Sequence, residues 1–120
     1  MKIGTGGYAP IPEMMDSGVT VSLGTDGAAS NNTLDMFETM KFCALVHKQH
    51  RWDPKILPAQ VVFDFATLGG AKTLKIEEEV GSIEVGKKAD IIMLDLNKPH
   101  LIPKHDLISV SYTHLRAHET

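Results

Sequence analysis

The sequence predicts an α/β fold, in which the chain forms the end of a larger α/β domain followed by part of a β domain. A short β-branched run at residues 19–24 leads to Asp26-Gly27, helical patterns follow it, and a strand-like period returns at 81–96. These few predicted strands offer one another little backbone pairing. This set of predicted elements therefore favours part of a larger protein over a free-standing domain.

Composition narrows the class of protein. The 120 residues carry a net charge of −3 and are 42% hydrophobic, which is ordinary for a globular core and gives no reason to expect binding to nucleic acid or a membrane surface. The one cysteine, Cys43, excludes an internal disulfide. No apolar run approaches the roughly 18 residues of a membrane span, and the N-terminus lacks a signal-peptide pattern. We therefore expect a cytoplasmic protein with no nucleic-acid or membrane partner.

In the first half of the chain, a short helix over residues 10–17 has proline in its first turn and glycine after its end. Residues 19–24 are too short and too β-branched for a helix and predict a strand, with a loop over 27–32. A longer helix is predicted from Asn32 or Thr33 to the Trp52-Asp53-Pro54 sequence. Asn32 would cap it, because its side chain can accept from the free amides of the first turn.

In the second half, a helix is predicted over residues 58–66. Gly69-Gly70 is expected to interrupt it, with one further turn over 71–74. Residues 81–88 predict a short strand and a turn, and residues 89–96 a well-buried strand.

Asp26 is the leading candidate for chemistry. A buried strand that ends in an acid and a glycine is a common way to direct a carboxylate into a cleft, and in a β/α barrel such strand ends hold the active site. From the residues alone, Asp26 could bind a metal, act as a base or cap a turn.

Other motifs have competing interpretations. Cys43, His47 and His50 share one helical face and could bind metal, but a buried thiol beside solvent-facing histidines is the preferred interpretation. The glycine-rich residues 4–7 lack the Gly-Lys-Ser/Thr ending of a phosphate loop and favour a plain loop.

Polar residues elsewhere are weaker candidates. Ser30, Asn31 and Asn32 could line a cleft, although capping explains Asn32 equally well. The Lys87-Lys88 pair predicts a solvated turn. Asp90 marks the start of a strand and has no assigned chemistry.

A resemblance accounts for much of this pattern. Leu23-Gly24-Thr25-Asp26-Gly27-Ala28-Ala29-Ser30-Asn31-Asn32 and the segments at 57–59, 66–71 and 81–90 resemble the amidohydrolase superfamily over roughly residues 1–110. The match is closest to its 5-methylthioadenosine/S-adenosylhomocysteine deaminase branch. The resemblance implies the C-terminal end of a (β/α)8 metal-dependent hydrolase barrel over residues 1–76 and part of a small β-sandwich domain over 77–110. Residues 111–120 resemble translated read-through of a sequencing adapter, so His114 and His118 receive no role.

The resemblance also implies an activity. Family members use one divalent metal, usually zinc, to activate water that displaces ammonia from an adenine-type base. Asp26 matches the aspartate that ends the last barrel strand, where it binds metal and substrate and accepts a proton. A small-molecule nucleoside is then the expected partner, and the resemblance leaves room for a homo-oligomer.

This chain departs from the family pattern in its histidines. It contains no His-x-His, and its six histidines all follow Asp26. The resemblance places the other metal ligands earlier, in a part that these residues do not include, so we expect the isolated chain to be inactive. Two alternatives stay open: another amidohydrolase, of guanine deaminase or triazine chlorohydrolase type, and a non-catalytic binding module.

Overall fold

A computed structural model describes residues 7–113, and only the backbone of the last two. Its regular elements are all helical: α1 (Ile11–Asp16), α2 (Ala28–Asn31), α3 (Met36–Arg51), α4 (Ala59–Ala66), α5 (Leu68–Leu74), a 3-10 turn (Pro99–Leu101) and α6 (Leu107–Thr113). None of the helices in this range is long and apolar enough to cross a membrane.

The main core forms where α1, α3 and α4 meet. Its buried members are Ile11, Met40, Cys43, Ala44, Leu57, Val62 and Phe65. Val21 and Leu23 pack against this core, so the segment that leads to Asp26 is fixed on one side. A second, smaller cluster contains Leu101 and Val110, and Phe37 of α3 contacts both clusters.

The predicted α/β class is wrong for the described residues, because residues 7–113 contain no β-strand. Neither a piece of the (β/α)8 barrel nor a piece of the β-sandwich is therefore present as sheet. Apolar alternation shows that a segment suits a sheet, but a strand also needs a neighbour that completes its hydrogen bonds. The Leu23 N–H instead donates to the Phe65 carbonyl at the end of α4, over 3.2 Å.

Residues 89–96 depart furthest from their prediction. They were expected to form a buried strand, yet Ile92 is 68% exposed and Met93 is 90% exposed. Only Leu94 and Leu96 of this stretch pack against the cluster of Leu101 and Val110, and residues 91–93 are left exposed.

The helices follow the predictions more closely, with four differences. The short α1 and the start of α4 after Pro58 are confirmed. Part of the predicted loop at 27–32 forms α2, α5 runs through Gly69-Gly70 without interruption, and α6 was not predicted. The fourth difference is the start of α3, where Asp35, rather than Asn32, is the N-cap.

Asp35 caps α3 through its side chain. Its Oδ1 accepts from the amides of Phe37 and Glu38, at 2.8 and 3.2 Å, which satisfies two donors of the first turn. The other end of α3 stops at Trp52, which has a left-handed φ of 52° and is 87% exposed.

Candidate functional site

Asp26 lies on a tight turn between the segment that carries Leu23 and the short helix α2. Its φ is +59°, a left-handed value that aspartate tolerates better than most residues. Its Oδ1 accepts a hydrogen bond from the Gly27 amide at 2.7 Å. The turn therefore fixes the carboxylate close to the backbone and leaves it exposed at the surface.

Asn31 holds this turn closed. Its Nδ2 donates to the Thr25 carbonyl at 2.8 Å and, more weakly, to the Thr33 carbonyl at 3.4 Å. The Gly27 carbonyl in turn accepts from the amides of Ser30 and Asn31, both at 2.9 Å. One side-chain amide thus ties the two ends of the Asp26 loop together.

This arrangement makes Asp26 a positioned acceptor. Among the described residues, Oδ2 accepts no hydrogen bond, so one oxygen is available to a cation or to a donor on a ligand. The carboxylate could equally take up a proton, since a carboxylate is both a hard metal ligand and a base.

The described residues do not supply a complete metal centre. Between residues 7 and 113 no three histidine, cysteine or acidic side chains lie close enough together to hold an ion. A protein zinc site takes three or four protein ligands, and Asp26 alone does not fit that requirement.

Cys43, His47 and His50 do not form the alternative metal site considered from the sequence. Cys43 is buried, which raises the pKa of its thiol to about 11 despite the opposing charge of Lys48. His47 was expected to face solvent but is buried, and both of its ring nitrogens contact backbone carbonyls. His50 is exposed and contacts the Tyr8 hydroxyl.

The remaining candidates have structural roles or none. Asn32 does not cap α3. It ends α2 in a left-handed conformation, and its backbone N–H donates to the Ala28 carbonyl. Lys88 is exposed and ion-pairs with Glu79, as expected for a solvated turn. Lys87 differs, because its side chain is mostly buried and lies 2.7 Å from Ser82 Oγ. Asp90 is exposed.

Several predictions made from the sequence cannot be compared with the structure. Residues 4–6 of the glycine-rich stretch, together with His114 and His118, lie outside the described residues. Of the tail at 111–120, the first three residues belong to α6.

A surface groove lies away from Asp26. It has a volume of about 330 Å³ and runs between residues 18–21 and the start of α5, with Asp64, Phe65 and Lys72 among its lining residues. Asp26 is not part of its wall, so the groove and the candidate carboxylate are separate features.

Sequence reasoning missed the contribution of Asn31. An asparagine in a loop has many local partners, and only the folded turn shows which carbonyl it reaches. The cap at Asp35 had a usable signal, because Asp35 and Glu38 have the three-residue spacing of a capping box.

The comparisons with known proteins agree with one another. The model of the amidohydrolase family matches residues 2–116. A protein named 5-methylthioadenosine/S-adenosylhomocysteine deaminase, from Thermoanaerobacter pseudethanolicus, is 50% identical over 108 residues, which are 89% of this chain and 25% of that protein. A 5'-deoxyadenosine deaminase from Methanosarcina acetivorans is 50% identical over 109 residues, covering 91% of this chain and 24% of the relative.

A solved structure agrees with these relatives. It is the crystal structure of an adenosine deaminase from Xanthomonas campestris with bound zinc, which is 37% identical to this chain with a TM-score of 0.89. The match covers 94% of this chain and 26% of that one. This chain thus spans about a quarter of the length of the proteins it matches.

Proposed function

This chain belongs to the amidohydrolase family, and on that premise we propose that it is part of a hydrolase that deaminates 5-methylthioadenosine or S-adenosylhomocysteine. The products would be the inosine-type nucleoside and ammonia. The observation that carries the proposal is the positioned Asp26 carboxylate within a chain that is 50% identical to a deaminase of that name.

In this proposal Asp26 is one ligand of a divalent metal, contacts the substrate and accepts a proton during hydrolysis. Zinc is the metal we propose, since the Xanthomonas adenosine deaminase holds it. The described residues cannot hold the ion by themselves, so its other ligands would come from the three quarters of the protein that the relatives have and this chain does not. We expect the 120-residue chain alone to bind no stoichiometric zinc and to release no ammonia from these nucleosides.

A chimera tests the activity. The corresponding part of the Thermoanaerobacter relative is replaced by residues 2–110 of this chain, which leaves out the adapter-like tail. Ammonia release is measured with 5-methylthioadenosine, S-adenosylhomocysteine, 5'-deoxyadenosine and guanine. We expect turnover of the first two. A folded, zinc-loaded chimera that acts only on guanine would contradict the proposed substrate class.

Asp26→Asn in the same chimera tests the role of the carboxylate. We expect loss of bound zinc and a fall in kcat of roughly 10²- to 10⁴-fold. Asp90→Asn is the matched control, because Asp90 is also an exposed aspartate and is assigned no role. Equal activities of the two variants would overturn the assignment of Asp26.

A second candidate substrate is 5'-deoxyadenosine, favoured by the 50% identity to the Methanosarcina deaminase of that name. It differs from the first two substrates only at the 5' position of the nucleoside. The ratio of kcat/KM values for 5'-deoxyadenosine and 5-methylthioadenosine in the chimera separates the two candidates.

A further inference from the structure

Asn31 is a half-buried polar side chain close to Asp26, and the proposed function gives it no role. It is the last residue of α2, and its backbone N–H donates to the Gly27 carbonyl at 2.9 Å, so the helix fixes the point from which its side chain extends. Its Nδ2 donates to the Thr25 carbonyl at 2.8 Å and, more weakly, to the Thr33 carbonyl at 3.4 Å. Both partners are carbonyls, so only the NH2 end of the amide can bond to them, and its two hydrogens allow one bond to each.

The Thr25 carbonyl is the group through which Asn31 acts on Asp26. It belongs to the peptide unit that joins Thr25 to Asp26, and the rotation of that unit about the N–Cα bond of Asp26 is the φ angle of Asp26. This angle is +59°, in the left-handed region. Even for aspartate this region is less favourable than the right-handed one, and a residue remains there only where neighbouring contacts hold it. The bond from Asn31 is such a contact, because it holds the peptide unit from the other end of the turn.

The carboxylate of Asp26 is tied to the same backbone. The Gly27 amide donates to Asp26 Oδ1 at 2.7 Å, which holds the side chain against the next peptide unit. While this bond is kept, the direction of Oδ2 follows from the backbone angles of Asp26. A return of Asp26 to the right-handed region would turn its Cα–Cβ bond and move Oδ2 away from its present direction.

We propose that Asn31 is a positioning residue for Asp26, whose side-chain amide holds the Thr25–Asp26 peptide unit and thereby sets the direction of the open carboxylate oxygen. In this role Asn31 acts through Asp26 rather than on the substrate. The geometric part of the proposal concerns this chain alone. The effect on turnover rests on the function proposed above, in which the same carboxylate accepts a proton.

NMR of the 120-residue chain tests the geometric part. A left-handed residue has its amide and Hα protons close together and gives a strong intraresidue NOE between them. We expect this NOE for Asp26 in the unmodified chain and its loss in Asn31→Leu, which keeps the approximate size of the side chain without a donor, while the NOEs within α3 stay unchanged and show that the variant is folded. Asn32→Gly is the matched control, because Asn32 is exposed and already left-handed, and it should retain the Asp26 NOE. A weak Asp26 NOE in the unmodified chain, or a strong one in Asn31→Leu, would overturn the proposal.

Turnover is measured in the chimera described above. Asn31→Leu should lower kcat by roughly 10- to 100-fold, since a small displacement of a group that takes part in the reaction reduces the rate steeply. Asn32→Gly should leave kcat unchanged. A kcat of Asn31→Leu equal to that of the unmodified chimera would overturn the positioning role. An unmodified chimera that turns over neither nucleoside would instead contradict the proposed function, and the Asp26 NOE would still decide the geometric part.

Discussion

Of two adjacent glycines on α5, the first is crowded by neighbouring backbone atoms and the second has open space beside it. A Cβ built on Gly69 would lie 2.6 Å from the Val21 carbonyl oxygen and 3.0 Å from the Asp64 carbonyl oxygen. A Cβ built on Gly70 would meet nothing within 4 Å. The close approach of α5 to the segment that leads to Asp26 therefore depends on the first glycine alone.

We expect Gly69→Ala to lower the free energy of unfolding by about 1–3 kcal/mol, because backbone atoms must move to admit the methyl group. Gly70→Ala should raise it by about 0.5–1 kcal/mol, since alanine is the better helix former and has room there. Urea titrations followed by circular dichroism measure both. Similar effects of the two substitutions would show that α5 does not approach residue 21 closely.

The thiol of Cys43 predicts a loss of stability in alkali. Its pKa is raised to about 11 in the folded chain, so between about pH 9 and pH 11 the unfolded chain gives up the thiol proton while the folded chain keeps it. The folded state then binds more protons, and the free energy of unfolding falls as the pH rises, by roughly 2 kcal/mol across this window.

Cys43→Ala isolates this contribution. The variant loses packing at every pH, but it lacks the thiol, so its stability should decline less steeply than that of the unmodified chain above about pH 9. Parallel slopes in denaturant titrations across this range would show that burial does not hold the thiol neutral.

At the scale of elements, Asp35 stabilises α3 by capping its N-terminus. We expect Asp35→Ala to lower the free energy of unfolding by about 1 kcal/mol, because the amides of Phe37 and Glu38 lose their acceptor. Asp35→Asn should cost much less, since asparagine caps nearly as well. Thermal unfolding of both variants tests this, and an equal loss in the two would mean that the charge, rather than the cap, stabilises the helix.

The same region shows what the sequence could predict. The existence of α3 follows from its apolar spacing, but its start does not, because Asn32 and Asp35 are both good caps. The choice is made by Asn32 ending α2 in a left-handed conformation, which leaves Asp35 to start α3. The cap preference of each residue identifies both candidates, and only the capping-box spacing of Asp35 and Glu38 favours the second.

The three predicted strands failed for a different reason. Residues 19–24, 81–88 and 89–96 were predicted from side chains that suit a sheet. Pairing is a property of two segments, however, and no second segment pairs with any of them in residues 7–113. The position of Asp26 after an apolar run could be predicted, whereas the Asn31 contact that closes its loop could not. The division of the chain at residue 76 and the self-association suggested by the resemblance stay predictions.

For the whole molecule, the main feature is uncovered apolar surface. Ile83, Val85, Ile91, Ile92 and Met93 are all exposed. Contiguous exposed apolar surface favours association. We expect the purified chain to associate through residues 83–93, so that its sedimentation coefficient rises with protein concentration.

Ile92→Lys combined with Met93→Lys should reduce this rise. Leu74→Lys is the control, because Leu74 is comparably exposed at the end of α5, outside the 83–93 segment. If the control suppresses association as strongly as the double variant, the 83–93 segment is not the contact surface.

Trp52, the only tryptophan of the chain, ends α3 with its indole almost entirely in water. An indole that is already solvated changes its emission little when the chain unfolds, so tryptophan fluorescence would report few of the transitions proposed above. The same exposure makes Trp52 a sensitive probe of the opposite event. Any polypeptide that covers this end of α3 would shift its emission to shorter wavelength and protect it from iodide quenching, and a complementary fragment of a relative could be titrated against the chain by that signal alone.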